Sequence, residues 1–336
     1  MSADGSAAAG AVDEARLWQA LMDLAAVGAR DDGGVCRHAL SDEDIAARAL
    51  VIGWAEARGY EASVDDAANL FFRRRGRDND AAPVLAGSHM DSQPAGGKFD
   101  GAFGVLAGLE ALMALDDAGV ETMRPIDIVA WTNEEGGRFD RSCTGSSIWS
   151  GVSELDSYLG DIGADGVPLG QALERTLAAT PDLARRPRHW TPHAFIEPHI
   201  EQGPVLEAQG LSVAIVTGIQ GVRWMNVEVT GEAGHAGTTP MAGRRDAVQG
   251  ALRAVHALNT LMADDEDRVR FTVGRVNVTP NSPNTIPEKT LFSIDFRHPD
   301  RNLLEDRGGR IAEVVRQAAS PCEALLVPTL TMDPTP

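Results

Sequence analysis

The sequence predicts an α/β protein: a mostly parallel sheet flanked by helices, joined to a smaller two-layer domain. Three observations carry this. Apolar strand-like runs alternate with helical stripes through about the first 220 residues, the signature of a parallel sheet covered on both faces. After Gly221 the order becomes β-α-β-β-α-β, the split-βαβ arrangement of a small two-layer domain. Loops just past the predicted strands collect glycines, histidines and carboxylates, above all residues 87–101, GSHMDSQPAGGKFDG. A loop at the carboxyl edge of an open sheet is where α/β proteins place their chemistry.

Taken in order, residues 1–10 read as disordered. Glu14–Ala29 carries a helical stripe at Leu17, Leu21 and Leu24. Ser41 followed by Asp44 resembles a capping box with Asp in place of Glu. It opens a helix to about Arg58, which Gly59 ends. Tyr60–Arg74 reads as two short strands around Asp65–Asn69. A strand at 83–88 leads into the glycine-rich loop, and a nearly all-apolar helix follows at 102–118. Ile126–Trp131 is a β-branched strand that opens into TNEEGGRF, residues 132–139. Short helices are expected at 141–150 and 168–178, and a polar connector at Arg185–His193. Phe195–His199 reads as a strand end running into EQGPVLEAQG, a short helix closed by Gly210. Val213–Val216 is one more expected strand.

A length of 336 residues exceeds one simple core and suggests two domains, or one domain with a large insertion, with a boundary near residue 220: 1–219 and 220–336. In the second part, strands are expected at Trp224–Thr230, Val269–Val278, Thr290–Arg297 and Ala324–Met332. Helices are expected at Arg244–Met262 and Leu303–Ala319.

The formal net charge is −19, which argues against nucleic acid as a partner, since no basic stripe balances the acid. The Arg73–Arg77 stretch, RRRGR, reads as a solvated hairpin. No run of about 18 apolar residues occurs, so no membrane span is expected. The small, acidic N-terminal stretch lacks the charged and apolar regions of a secretory signal, which places the protein in the cytoplasm as an expectation. Cys36, Cys143 and Cys322, an odd number without CxxC spacing, fit reduced thiols. Cys143 is read as a small buried hydrophobe.

His89, Asp100, Glu135 and His199 each sit just past a predicted strand. In a parallel sheet those ends face one edge, so four residues distant in sequence can converge as ligands of a divalent metal. Asp91 either accepts the second N–H of His89 or caps its own loop. In the pair Glu134–Glu135 side chains alternate, so one can ligate while the other faces a water as general base.

Five motifs in order, GSHMDSQPAGGKFDG, WTNEEGGRF, HIEQGPVLE, GEAGHAGTTPM and NTIPEKTLFSIDFRH, resemble the amidase branch of the M20 metallopeptidase-like family. That branch comprises N-carbamoyl-L-amino acid amidohydrolases, β-ureidopropionases and allantoate amidohydrolases. The resemblance spans roughly residues 13–333. It implies a phosphorylase/hydrolase-like catalytic domain with an inserted lid and dimerisation domain. It implies two divalent ions per subunit, Zn, Mn, Co or Ni, bridged by Asp100. His89 and His199 would complete one site, Glu135 would serve the other, and Glu134 would be the base. His235 would reach the partner subunit of a homodimer and stabilise the oxyanion. Asn284 and Arg297 would bind substrate, with Arg297 holding its carboxylate. Read as single residues, His235 is a histidine in a Gly-rich turn, Asn284 a turn former and Arg297 a surface ion-pair partner. Gln202 is either a hydrogen-bond partner of a ureido group or a helix first-turn residue.

The resemblance further implies a histidine ligand beyond the lid. The chain stops at Pro336, so the second metal site is expected to lack one ligand here. The expected activity is hydrolysis of the carbamoyl C–N bond of an N-carbamoyl-L-amino acid, a small ureido substrate. Allantoate amidohydrolase and β-ureidopropionase are the alternatives, and a non-catalytic, metal-poor dimeric binding protein is the alternative from another class.

Overall fold

A computed structural model describes residues 3–335. The chain folds as two compact units, the first running to Gln209 and the second starting at Gly210, before the boundary near residue 220 read from the sequence.

The first unit opens with α1 (Ala3–Gly10) and α2 (Glu14–Ala25). The disorder expected over residues 1–10 is therefore corrected for 3–10, whose alanine-rich sequence favours helix; residues 1 and 2 lie outside the described residues. Helix α3 (Asp42–Ala57) starts at Ser41, whose hydroxyl accepts the Asp44 N–H. Asp44 reaches back to the N–H of Leu40 and is itself held by Arg48 at 2.9 Å. Next come β1 (Glu61–Val64), β2 (Leu70–Arg74), β3 (Val84–His89), α4 (Ala102–Asp117) and β4 (Ile126–Trp131). The unit ends with α5 (Thr144–Ser150), α6 (Leu169–Ala178), β5 (Ala184–Arg185), β6 (Ala194–Ile196) and α7 (Val205–Gln209).

Its sheet has the order β5-β1-β2-β4-β3-β6. The β5–β1, β4–β3 and β3–β6 pairings are parallel, and β2 runs antiparallel to both neighbours. Leu70, Phe72, Ile128 and Ala130 face α2, α3 and α4, where Leu24, Val51, Val105 and Leu109 are buried. Full burial of each such side chain stabilises by about 1.5–3 kcal/mol. Phe71, Leu85, Val129 and Trp131 alternate to the other face and pack on Trp149 and Trp190. The RRRGR stretch is neutralised locally: Arg73 pairs with Asp127, Arg74 with Asp116, Arg75 with Glu61 and Arg77 with Glu121.

The second unit contains β7 (Gly221–Thr230), β8 (Gly234–His235), α8 (Ala247–Leu261), β9 (Arg270–Thr272), β10 (Val276–Thr279) and β11 (Thr285–Ile286). It closes with β12 (Lys289–His298), α9 (Arg301–Ala319) and β13 (Glu323–Met332). The antiparallel sheet β10-β12-β7-β13 carries β9 beside β12, and α8 and α9 bury Val227, Val229, Phe292, Ile294 and Phe296 between themselves and the sheet.

Two expectations are corrected. Val213–Val216 forms no strand: Val213, Ile215 and Val216 are 79–87% exposed, so the β-branched run has no ladder and no core to join. The single strand expected at Val269–Val278 breaks into β9 and β10, because the pairing with β12 shifts by one residue around Gly274. Among the described residues no helix is long and apolar enough to cross a membrane.

Candidate metal centre

Strands β4, β3 and β6 are adjacent and parallel, so their carboxyl ends share one edge. His89 is the last residue of β3, opposite Trp131, the last of β4. His199 follows β6 by three residues, and Asp100 sits just before α4. Gly101, with φ of 62°, begins the helix turn directly under the His89 ring, where a Cβ would collide with the imidazole. Only glycine meets both demands cheaply.

The structure brings His89, Asp100 and His199 together, with ligand atoms within 4.8 Å of one another. His199 Nε2 lies 3.4 Å and His89 Nε2 4.0 Å from Asp100 Oδ1. Two ligands of one tetrahedral ion stand about 3.4 Å apart at the usual bond lengths. Glu134 Oε2 is 3.4 Å from His89 Nε2. Glu135 is not part of that tight trio. Its Oε2 accepts from Gln93 Nε2 at 3.0 Å, and its Oε1 is buried with no hydrogen-bond partner. A buried carboxylate oxygen with nothing to bind is what a cation would satisfy. Two imidazoles and several carboxylates suit a borderline divalent ion, so the residues present fit the expected metal.

The Asp91 side chain neither accepts the His89 N–H nor caps its own loop. The His89 Nδ1–H donates to the Asp91 backbone carbonyl at 2.9 Å, while the carboxylate stands 3.8 Å away. That carboxylate instead accepts the N–H groups of Glu134 (3.1 Å) and Glu135 (3.2 Å). Asp91 thus fixes the imidazole with its main chain and the two glutamates with its side chain. Gln202 also lands elsewhere: its amide donates to Asp100 Oδ2, orienting that carboxylate.

The loop rests on groups that sequence reasoning missed. Arg37 is buried, and its guanidinium donates to the carbonyls of Met90 (2.7 Å), Leu24 (3.0 Å) and Val27 (2.9 Å). Ser92 accepts the Arg37 N–H at 2.9 Å. Nothing near residue 37 marks it in the sequence, since its partners are carbonyls.

Burial raises Asp91 to about 6 and Glu135 to about 7. Burial alone would lower His89, but the Asp91 and Glu134 carboxylates, the Asp91 carbonyl and Glu135 together outweigh it and raise its pKa.

In the second unit, β8 and β11 pair His235 with Thr285. The Ala236 N–H donates to the Asn284 carbonyl at 3.0 Å. His235 Nδ1 accepts the Gly237 N–H at 3.1 Å, so the neutral ring carries its proton on Nε2. Asn284 Oδ1 accepts from Ser282 Oγ at 2.8 Å and Thr285 Oγ1 at 3.3 Å. Arg297 is not with them. It lies at the other end of β12, opposite Val222, and forks onto Asp295 at 2.7–3.1 Å. Eight residue steps along β12 separate it from Lys289, roughly 27 Å at strand spacing.

A sequence profile for peptidase family M20/M25/M40 matches residues 85–321. An N-carbamoyl-L-amino-acid amidohydrolase of Rhizobium meliloti is 38% identical over 315 residues, covering 94% of this chain and 74% of that protein. An allantoate amidohydrolase of Bacillus subtilis is 36% identical over 284 residues, 84% of this chain and 68% of that one. The crystal structure of a hydantoinase/carbamoylase family amidase from Burkholderia vietnamiensis superposes with a TM-score of 0.90 at 45% identity. It covers 96% of this chain and 78% of the other.

Proposed function

This chain belongs to peptidase family M20/M25/M40, and we propose that it is a divalent-metal amidohydrolase of N-carbamoyl-L-amino acids. That it hydrolyses C–N amide bonds follows from its amidohydrolase relatives. The observation that carries the metal reading is the convergence of His89, Asp100 and His199 beside Glu134. Glu135, with its unpartnered oxygen, is the candidate ligand for a second ion. A divalent ion held there lowers the pKa of a water and polarises a carbonyl. Zn, Mn, Co and Ni all suit the donor set.

Glu134 is free of the tight trio and stands over His89, placed to accept the proton of an attacking water. His235, protonated on Nε2, can donate to the oxygen that gains charge as the ureido carbon is attacked. Asn284 adds an amide beside it. Arg297 offers a planar fork for the substrate carboxylate once Asp295 yields it. Asp100, oriented by Gln202, faces the same edge.

The spread of these groups supports a homodimer. A small ureido substrate cannot touch both ends of β12, so His235 and Arg297 of one chain cannot serve one molecule. Two chains can supply them, His235 acting in the partner's site.

The test is a panel of N-carbamoyl-L-amino acids, β-ureidopropionate and allantoate, assayed for ammonia release with each metal in turn. Carbamoyl amino acids should give the highest kcat/KM. Preference for allantoate, a substrate of relatives almost as similar, would move the assignment to that reaction. Glu134→Gln should keep the metal and lower kcat by about 100-fold or more. Near-normal turnover with normal metal content would remove Glu134 as base.

A further inference from the structure

We propose that Cys143 is a positioning residue for Glu134, its thiol anchoring one carboxylate oxygen while the other faces His89. This rests on the reading of Glu134 as the base.

The local fold places the two side by side. After β4 the chain passes Thr132–Glu135, turns at Gly136, and returns antiparallel to itself. The N–H groups of Gly145, Thr144 and Cys143 donate to the carbonyls of Thr132, Asn133 and Glu134, at 2.8, 3.0 and 2.8 Å. Cys143 is thereby held opposite Glu134. Its Sγ lies 3.6 Å from Glu134 Oε1, and Glu134 Oε2 lies 3.4 Å from His89 Nε2. With Oε1 held by the thiol, Oε2 is left turned toward the His89 side of the site.

The backbone supports a role for this side chain. Cys143 takes φ of 53°, a left-handed conformation that glycine or asparagine adopts more cheaply. Such residues persist where the surrounding structure over-determines them, and they cluster at functional sites. The neighbouring N–H bonds are main-chain and would survive any residue here, so the thiol is what the choice of cysteine adds. Burial, then the Glu134 charge, push the thiol up to about 12. It therefore stays a donor at neutral pH rather than becoming a nucleophile.

Two measurements test this on the full-length metal-loaded chain. With an N-carbamoyl-L-amino acid that the protein turns over, Cys143→Ala should lower kcat about 3- to 10-fold, the worth of one modest hydrogen bond. KM and metal content should hold. Cys143→Ser, which keeps a donor, should recover most of that loss. Wild-type kcat in Cys143→Ala, or serine no better than alanine, would overturn the proposal. The second measurement needs no turnover. The S–H stretching band of Cys143, identified by its absence in the Cys143→Ser protein, should move to higher frequency in Glu134→Ala. An unmoved band would mean that the thiol does not touch Glu134, whatever the base. A moved band with an active Glu134→Gln protein would keep the contact and remove the base reading alone.

Discussion

His89 and His235 are both candidates for the chemistry, and the two regions that carry them are built on different terms. His89 is 2% exposed at the end of a central strand. Its ring stands on Gly101, its Nδ1–H is taken by a carbonyl, and its loop is tied down by Arg37 and Ser92. His235 is exposed on a two-residue strand, and its ring accepts the N–H of Gly237, two residues away. The first region is organised by the fold itself. The second has local order only, and the groups that give it purpose must come from outside its own turn. Substitutions should therefore cost stability in the first region and function alone in the second.

The largest expected effect is at Arg37. Arg37→Met keeps the aliphatic stem but strips the carbonyls of Met90, Leu24 and Val27 of their buried donor. The Leu24 carbonyl keeps the Val27 N–H, while the Met90 and Val27 carbonyls lose this donor at about 1–3 kcal/mol each, partly relieved by relaxation, so a loss of about 2–4 kcal/mol is expected. Urea denaturation of the metal-free protein would show it as a lower midpoint at unchanged slope. A loss under about 1 kcal/mol would mean that the loop does not depend on this cage.

Next comes Asp100. Asp100→Asn keeps the shape and removes the charge shared by His89 and His199. Even groups that only support a ligand typically change metal affinity 10- to 100-fold, so about 100-fold or more is expected here. Competition against a chelator of known affinity reads it. Unchanged affinity would take Asp100 out of the site.

The meeting of His89 and His199 was legible in the sequence because β3 and β6 are neighbours and parallel, so their carboxyl ends share one edge. Asp100 joins them from the turn before α4, while Glu135, past the end of β4, stays outside the trio. The split-βαβ order of the second unit was legible for a similar reason, since its long strands alternate in a plain pattern. What escaped was set by partners far off in sequence or by the main chain. β5, β8 and β11 are two residues each, too short for a pattern. Val213–Val216 has strand composition and no strand beside it. The acceptor for His89 is the Asp91 carbonyl, which no side-chain pattern reveals. Gln202 meets Asp100, and Cys143 meets Glu134, through turns that the sequence marks only as polar.

A smaller effect sharpens the contrast through pH. In the metal-free protein Glu135 titrates near 7 and Asp91 near 6, and His89 is raised as well. Of these, Glu135 and His89 hold protons at pH 6 that a cation must displace from its ligands, while Asp91 titrates beside them. Metal affinity should therefore rise with pH between about 5.5 and 8, with proton release largest at the acid end. Calorimetry in buffers of different ionisation enthalpy measures the release directly. Affinity that is flat over that range would mean that the carboxylates are already ionised before the ion arrives.

The smallest expected change in stability belongs to His235. Its ring is exposed and held by a local bond from the Gly237 N–H, so His235→Ala should shift unfolding by no more than about 0.5 kcal/mol. Its effect on rate should be far larger, about 100-fold, the usual loss on removing one donor to a developing oxyanion. If that donor serves the partner's site, two inactive proteins become partly active together. A Glu134→Gln chain supplies His235 to a His235→Ala chain, and the mixed dimer has one site with both groups intact. Subunit exchange is followed separately with a tag on one chain. Activity that returns in step with exchange places His235 across the interface. Full exchange with no return would confine His235 to its own chain, and the separation from Arg297 along β12 would then need another explanation.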